Sequence, residues 1–199
     1  LAPLADEWRQ LIAFTARYYQ RALGEVALAA LPPQLRTLTG VQLARRLKRT
    51  QGQGAASVEH TTENQALTAD QAGALARIDQ EPGPFLLFGT TGSGKTEVYM
   101  QAAARALAQP PDAQVLMLVP EINLTPQLLA RFAERFGDAA VVALHSGLTP
   151  AQRLAAWLAA HSGRARIVLG TRVAVLASLP HLALIVVDEE HDPSYKQQE

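Results

Sequence analysis

The chain has 199 residues, 48% of them hydrophobic, with 18 basic and 18 acidic side chains and a formal charge of +0. That is about one and a half average domains with the apolar content of an ordinary core, so one full domain plus an appendage is expected. The composition excludes disulfides and thiolate metal sites, because there is no cysteine; no apolar stretch reaches the ~20 residues needed to cross a bilayer, no signal segment opens the chain, and a cytoplasmic setting is expected.

Residues 5 to 23 place Trp8, Leu11, Ile12, Thr15, Tyr18, Tyr19 and Leu23 at three- and four-residue spacing. This predicts one helix with an apolar, aromatic packing face, stopped by Gly24. Residues 37 to 66, rich in Thr, Gln and Gly, read as a linker with one short basic helix. No acidic residue occurs between Val26 and Val58, whereas Arg36, Arg45, Arg46, Lys48 and Arg49 are all basic. Such a stretch is either a solvated linker or a local field that holds phosphates without sequence preference.

From Leu67 onward, apolar runs at 85–88, 115–119, 140–144, 167–169 and 183–187 alternate with helical patterns near 69–80, 95–108, 126–136 and 150–161. That alternation predicts an α/β fold, a parallel sheet with helices on both faces, preceded by a small helical segment. Thr68 or Asp70 is the expected cap of the first of these helices. Trp157, with Leu154 and Leu158, is expected in the core. His60, His145, His161 and His181 have no metal-ligand spacing and read as surface or packing residues.

The octet Gly89, Thr90, Thr91, Gly92, Ser93, Gly94, Lys95 and Thr96 follows the run 84–88 and matches the phosphate-cradling P-loop, G-x-x-x-x-G-K-[ST]. Glycines let backbone N–H groups approach a bulky polyphosphate, and the next helix points its positive end at the anion. In that motif Lys95 reaches the β and γ phosphates, and the Thr96 hydroxyl is a ligand of the accompanying Mg²⁺. The run 183–187 ends in Asp188-Glu189-Glu190-His191, which reads as a buried parallel strand delivering carboxylates at its tip. Alone, such a cluster is usually a solvated turn. Paired with the P-loop, it reads as a catalytic edge where Asp188 holds Mg²⁺ through water and Glu189 deprotonates the attacking water.

The tetrad at 188–191 resembles the DEAH-type box of superfamily 2 helicases, with Glu190 where alanine is commoner. The segments 119–127 (VPEINLTPQ), 144–148 (LHSGL), 170–172 (GTR) and 192–198 (DPSYKQQ) extend the resemblance, which is to the replication-restart DNA helicases in particular. It implies a RecA-like ATP-binding domain over 67–199, with 1–36 as the helical tail of a 3′-DNA-end-binding domain and 37–66 as linker. The resemblance implies that Gln71 reads the adenine edge and that Thr125, Gln127, Thr171, Arg172, Tyr195 and Lys196 contact DNA. It also implies ATP and Mg²⁺ as cofactors and forked or single-stranded DNA as partner, with primosome proteins and single-strand-binding protein beside it. Zinc is expected only in a cysteine-rich region downstream of Glu199, and the winged-helix module usual near residue 40 has too few residues to form.

The activity implied is ATP-driven 3′-to-5′ translocation in replication restart and primosome assembly. The alternative is a nucleotide-gated DNA-binding switch without motor activity, which would not need the string of backbone-contact segments. Starting at Leu1 and stopping after the aromatic loop, the chain reads as a piece of a longer one, lacking the second RecA-like domain and its arginines, so weak hydrolysis alone is expected. In the resembling class a strand bearing a Ser-Ala-Thr motif inserts between the strands at 85–88 and 183–187. Without it, those two edges are expected to stand unpaired and apolar, favouring aggregation.

Overall fold

The computed structural model describes residues 1–51, 66–90, 92–108 and 110–196, the side chains of 49–51 excepted. Among them, seven α-helices and four strands are formed: α1 (Asp6–Tyr18), α2 (Leu23–Ala30), α3 (Gly40–Gln51), α4 (Ala69–Gln80), α5 (Lys95–Ala108), β1 (Gln114–Leu118), α6 (Pro126–Phe136), β2 (Val141–Leu144), α7 (Pro150–His161), β3 (Ile167–Gly170) and β4 (Leu182–Val187). The sheet is parallel throughout, in the order β2-β3-β1-β4.

Local chemistry fixes the helix starts. Thr68 and Thr149 cap α4 and α7 in reciprocal boxes with Gln71 and Gln152, and Thr125 caps α6 ahead of Pro126. Each cap satisfies backbone N–H groups that the helix itself cannot, for about 1 kcal/mol. Alternation along the strands then divides the core. Val115, Met117, Ile167 and Leu169 pack with Met100 and Leu107 of α5 and Phe132 and Phe136 of α6. Leu116, Leu118 and Val168 face the other way, onto Ala156 and Ala160 of α7 and Ala174. Helices therefore cover both faces, as the sequence predicts.

Register sets the working edge. Leu144 is paired with Gly170, Gly170 with Leu118, and Leu118 with Val187. All four strands thus end at one level. The ladder continues one step beyond it: Thr171 N–H donates to Leu144, Val119 N–H to Gly170, and Asp188 N–H to Leu118, at 2.9–3.1 Å. Gly170 allows this closeness, because a Cβ there would overlap the Ala174 methyl and stand 2.9 Å from the Leu144 carbonyl oxygen.

Three expectations are corrected. The run 85–88 is not a strand: it has no sheet pairing, and Leu86 and Phe88 are 83% and 93% exposed. Its apolar residues suit a strand, but no neighbour among the described residues supplies the ladder. β4 is not buried on both faces; it is an edge paired with β1 alone, so Leu184 and Val186 pack toward α5 while Ile185 and Val187 stay exposed. Finally, α1 ends at Tyr18 rather than at Gly24. Gln20 takes the left-handed conformation (φ 51°), with Gln20 N–H bonded to the Arg17 carbonyl and Arg21 N–H to the Ala16 carbonyl. This is a Schellman end with glutamine in the position glycine usually takes; Gly24 lies inside α2. Only Trp8, Ile12 and Ala16 of the helix face are buried, while Tyr18, Tyr19 and Leu23 are exposed.

The N-terminal helices sit on the α/β layer. Trp8 donates its indole N–H to the Leu176 carbonyl at 2.9 Å, in the 3₁₀ turn Arg172–Leu176. Leu43 and Leu47 of α3 join Leu4, Leu31 and Leu35 against Leu154, Trp157 and Leu158 of α7, so the basic helix is seated by its apolar side. Trp157 is buried as expected.

His161 closes the same seam. Its ring lies 2.9 Å from Ser178 Oγ and from the Ala2 carbonyl, and burial holds its pKa below the usual histidine range. As pH falls below about 6.5 the unfolded chain protonates first. His161 therefore contributes stability that is fully present above that pH and lost as pH falls through the lower folded value. Urea melts at stepped pH should show this acid loss in the parent chain and a flatter profile in His161→Asn.

Candidate nucleotide and nucleic-acid site

The P-loop leads from 84–88 into α5, whose N-terminus faces the loop. Gly92 and Gly94 have φ of 84° and 79°, and a Cβ at Gly94 would collide with the Gln71 amide. These positions need glycine for conformation, and at the second a side chain would also displace the Gln71 amide. Lys95 folds back within the loop, donating to the Gly89 carbonyl at 2.7 Å and the Thr90 carbonyl at 3.0 Å. Its charge is thus held against the loop backbone at Gly89 and Thr90. Ser93 shapes the loop, its hydroxyl lying against Gly89. Thr91 lies outside the described residues.

Gln71 has two attachments. Its side-chain oxygen completes the α4 capping box at 2.9 Å from Thr68 N, and its amide nitrogen donates to the Ser93 carbonyl at 3.0 Å. The start of α4 is thereby tied to the loop.

At the opposite wall, Asp188 leaves β4 with both carboxylate oxygens engaged: Oδ1 accepts from Glu189 N–H at 3.1 Å, and Oδ2 lies 3.1 Å from the Tyr99 hydroxyl. The same hydroxyl lies 3.0 Å from Thr96 Oγ1. Tyr99 has one proton to give, and the carboxylate is the stronger acceptor; it therefore donates to Asp188 and accepts from Thr96. Burial pushes the Tyr99 hydroxyl up to about 12, opposed by the Thr96 bond and reinforced by the Asp188 charge. Tyr195 is also raised, by burial first and then by Asp188, Asp192 and Glu189, and its hydroxyl donates to the Asp188 carbonyl at 2.8 Å. Both phenols stay protonated donors across the neutral range.

Glu189 is exposed and left-handed, with φ 47°. A non-glycine residue held there is strained, a feature that clusters at working sites. Asp192 caps the turn 193–195, and its hydrogen bonds from Ser194 lower its pKa.

Among the described residues no group of three or more His, Cys, Asp or Glu gathers as a metal cage. Thr96 and Asp188 are instead two hard oxygen donors brought to either side of one hydroxyl. That donor set fits Mg²⁺, which is usually held by one or two protein oxygens together with substrate phosphates and water.

The other predicted residues are distributed along the same sheet edge. Thr125 is engaged as the α6 cap, and Gln127 is exposed two residues further on. Thr171 is only 4% exposed, whereas Arg172 beside it is open to solvent. Lys196 is exposed, and Tyr195 packs with the α7-side core. Ser146, after β2, bonds Glu121, after β1. The segments after β2, β3 and β1 carry Ser146, Arg172 and Gln127 in turn, while Tyr195 and Lys196 follow β4, the strand whose tip meets the P-loop helix at the end of the row. The structure thus brings Gln71, Ser93, Lys95, Thr96, Asp188 and Tyr195 into one connected site and leaves the remaining groups spread beside it.

Two residues of this site escape motif reading. Tyr99 is three residues after Thr96, a spacing that puts both on one helix face. Glu97 is the other: in the first turn of α5, it takes two bonds from Arg135 of α6, at 2.8 and 3.0 Å, and one from Gln101 at 3.0 Å.

A P-loop helix and an acid-tipped strand meeting at the C-terminal edge of a parallel sheet define a P-loop α/β domain. More narrowly, the chain belongs to the DEAD/DEAH box helicase family, whose model matches residues 68–199. It is similar to the replication restart protein PriA of Bacillus subtilis, 43% identical over 143 residues, which cover 69% of this chain and 17% of the relative. It is similar also to PriA of Treponema pallidum, 40% identical over 183 residues, 91% of this chain and 26% of the relative. PriA of Haemophilus influenzae is 51% identical over 115 residues, 58% of this chain and 15% of the relative. The chain therefore spans between about a seventh and a quarter of these relatives' length. No helix among the described residues is long and apolar enough to cross a membrane.

In the Glu97–Arg135 pair the carboxylate is buried and the guanidinium is partly exposed. Glu97→Ala removes the acceptor of charge-assisted bonds from a guanidinium that water reaches only in part and should cost about 1.5–3 kcal/mol of stability, read from chemical denaturation.

Proposed function

We propose that this chain is the first ATP-binding motor unit of a replication-restart DNA helicase that moves 3′ to 5′ on DNA. The observation that carries the reading is the meeting of P-loop helix and acidic strand tip, with Thr96 and Asp188 bridged by Tyr99 beside a lysine already lodged in the loop. The family membership and the likeness to PriA support it.

In this reading the loop N–H groups and Lys95 grip the triphosphate, the ammonium turning from the Gly89 and Thr90 carbonyls to the phosphate oxygens. Gln71, already anchored to Ser93, offers an amide to the base. Thr96 and Asp188 would hold Mg²⁺, which when bound neutralises phosphate charge. Glu189, on its strained backbone, orients water and takes its proton. Arg172, Gln127 and Lys196, with the Thr125 segment and the backbone around Thr171, line the track for DNA phosphates. The exposed Arg45 and Lys48 on the outer side of α3 add positive field. Residues 1–36 fit the helical tail of a 3′-end-binding domain.

Lys95→Ala should weaken ATP binding by about 1.5–3 kcal/mol, since no other basic side chain lies in the loop. Unchanged calorimetric affinity would sink the reading. Glu189→Gln should bind ATP as the parent does and lose its single-turnover hydrolysis, because a base is removed and no ligand; parallel loss of binding would assign Glu189 to structure.

DNA contact should be dominated by phosphates. Arg172→Ala is expected to weaken single-strand binding about equally for all sequences and to reduce the salt slope by roughly one unit or less. A loss confined to certain sequences would mean base readout and would count against translocation.

A further inference from the structure

We propose that Tyr99 is the positioning residue for the divalent metal that accompanies the nucleotide, setting the orientation of the Thr96 hydroxyl and the placement of the Asp188 carboxylate. The assignment rests on the nucleotide reading above and extends it to a side chain outside the two sequence motifs.

A threonine hydroxyl ligates a cation through an oxygen lone pair, so its proton must point elsewhere. Thr96 lies 3.0 Å from the Tyr99 oxygen, and Tyr99 in turn lies 3.1 Å from Asp188 Oδ2. The chain of donors runs from Thr96 to Tyr99 to Asp188, which directs the Thr96 proton inward and leaves its lone pairs for a ligand. Asp188 is held from two further directions, by Glu189 N–H on Oδ1 and by Tyr195 on its carbonyl. Among the described residues, only Tyr99 hydrogen-bonds both of the oxygen donors assigned to the metal. Its ring is fixed in the core beside Met100 and Ala103, so the hydroxyl has little freedom to wander.

Tyr99→Phe keeps the ring and deletes the relay. Binding of a fluorescent ATP analogue should be unchanged in EDTA, while the gain in affinity on adding Mg²⁺ should fall about threefold to tenfold, the effect of one ordinary hydrogen bond. Mn²⁺ titrations followed by electron paramagnetic resonance should show the same loss for the metal alone. A Mg²⁺ gain equal to the parent's overturns the assignment, and so does an equal loss in EDTA, which would make Tyr99 merely structural. If the variant does not fold, the parent chain still decides: adding Mg²⁺ to the nucleotide-loaded protein should give a tyrosine ultraviolet difference spectrum, and none overturns the assignment. Failure of the parent chain to bind the analogue at all, with or without metal, overturns the nucleotide reading itself and this assignment with it.

Discussion

The parallel register that stops four strands at one level is the constraint on which the rest of the site depends. A slip of one residue in any strand would turn its side chains to the opposite face and carry its terminal loop about 3.3 Å along the sheet. With Leu144, Gly170, Leu118 and Val187 in a row, the residues that follow leave the sheet side by side. Asp188 consequently arrives opposite the first turn of α5, near enough for one phenol to reach it and Thr96 together. The acid Asp188 lies 93 residues after Lys95 of the P-loop in sequence, and the sheet alone makes them neighbours.

The second organising contact lies at the seam between the N-terminal helices and α7. Trp8 bonds the carbonyl that ends the turn begun by Arg172, and α3 lays its leucines on the same helix that packs beneath β3. A rigid connection therefore runs from α1 to the turn that displays Arg172. The Glu97–Arg135 pair makes a comparable connection between the P-loop helix and α6, the helix capped by Thr125. In both cases a strip of packed or ion-paired side chains joins a loop facing the sheet edge to a helix behind it.

The four helices of the α/β layer were legible in the sequence because each has a period of apolar residues, and α4, α6 and α7 add a threonine cap that leaves a local signature, such as Thr68 with Gln71 and Thr149 with Gln152. What the sequence left hidden was tertiary. Residues 85–88 have strand composition, but a strand exists only where a partner offers hydrogen bonds. The apolar run of β4 resembles a central strand, and its edge position depends on neighbours rather than on its own residues. At the end of α1 a glutamine serves where glycine was expected, since a single left-handed residue costs little when two backbone bonds fix it. In the site, the motifs located Lys95, Thr96 and Asp188, whereas Tyr99 lies beyond the P-loop octet and its role becomes visible only when β4 is set against α5.

The aromatic residues are partitioned in a way that matters for spectroscopy. The two tryptophans of the chain, Trp8 and Trp157, both lie in the seam, one bonded to Leu176 and the other stacked on His161 with ring centroids 4.8 Å apart. Tyr99 and Tyr195 flank Asp188, and the remaining pair, Tyr18 and Tyr19, stands in solvent at the end of α1. Indole emission therefore reports on how the N-terminal helices are seated, and on the charge of one imidazole, while phenol absorption reports on the carboxylate end of the nucleotide site. Two regions of one chain can be followed independently in the same cuvette, without an added label.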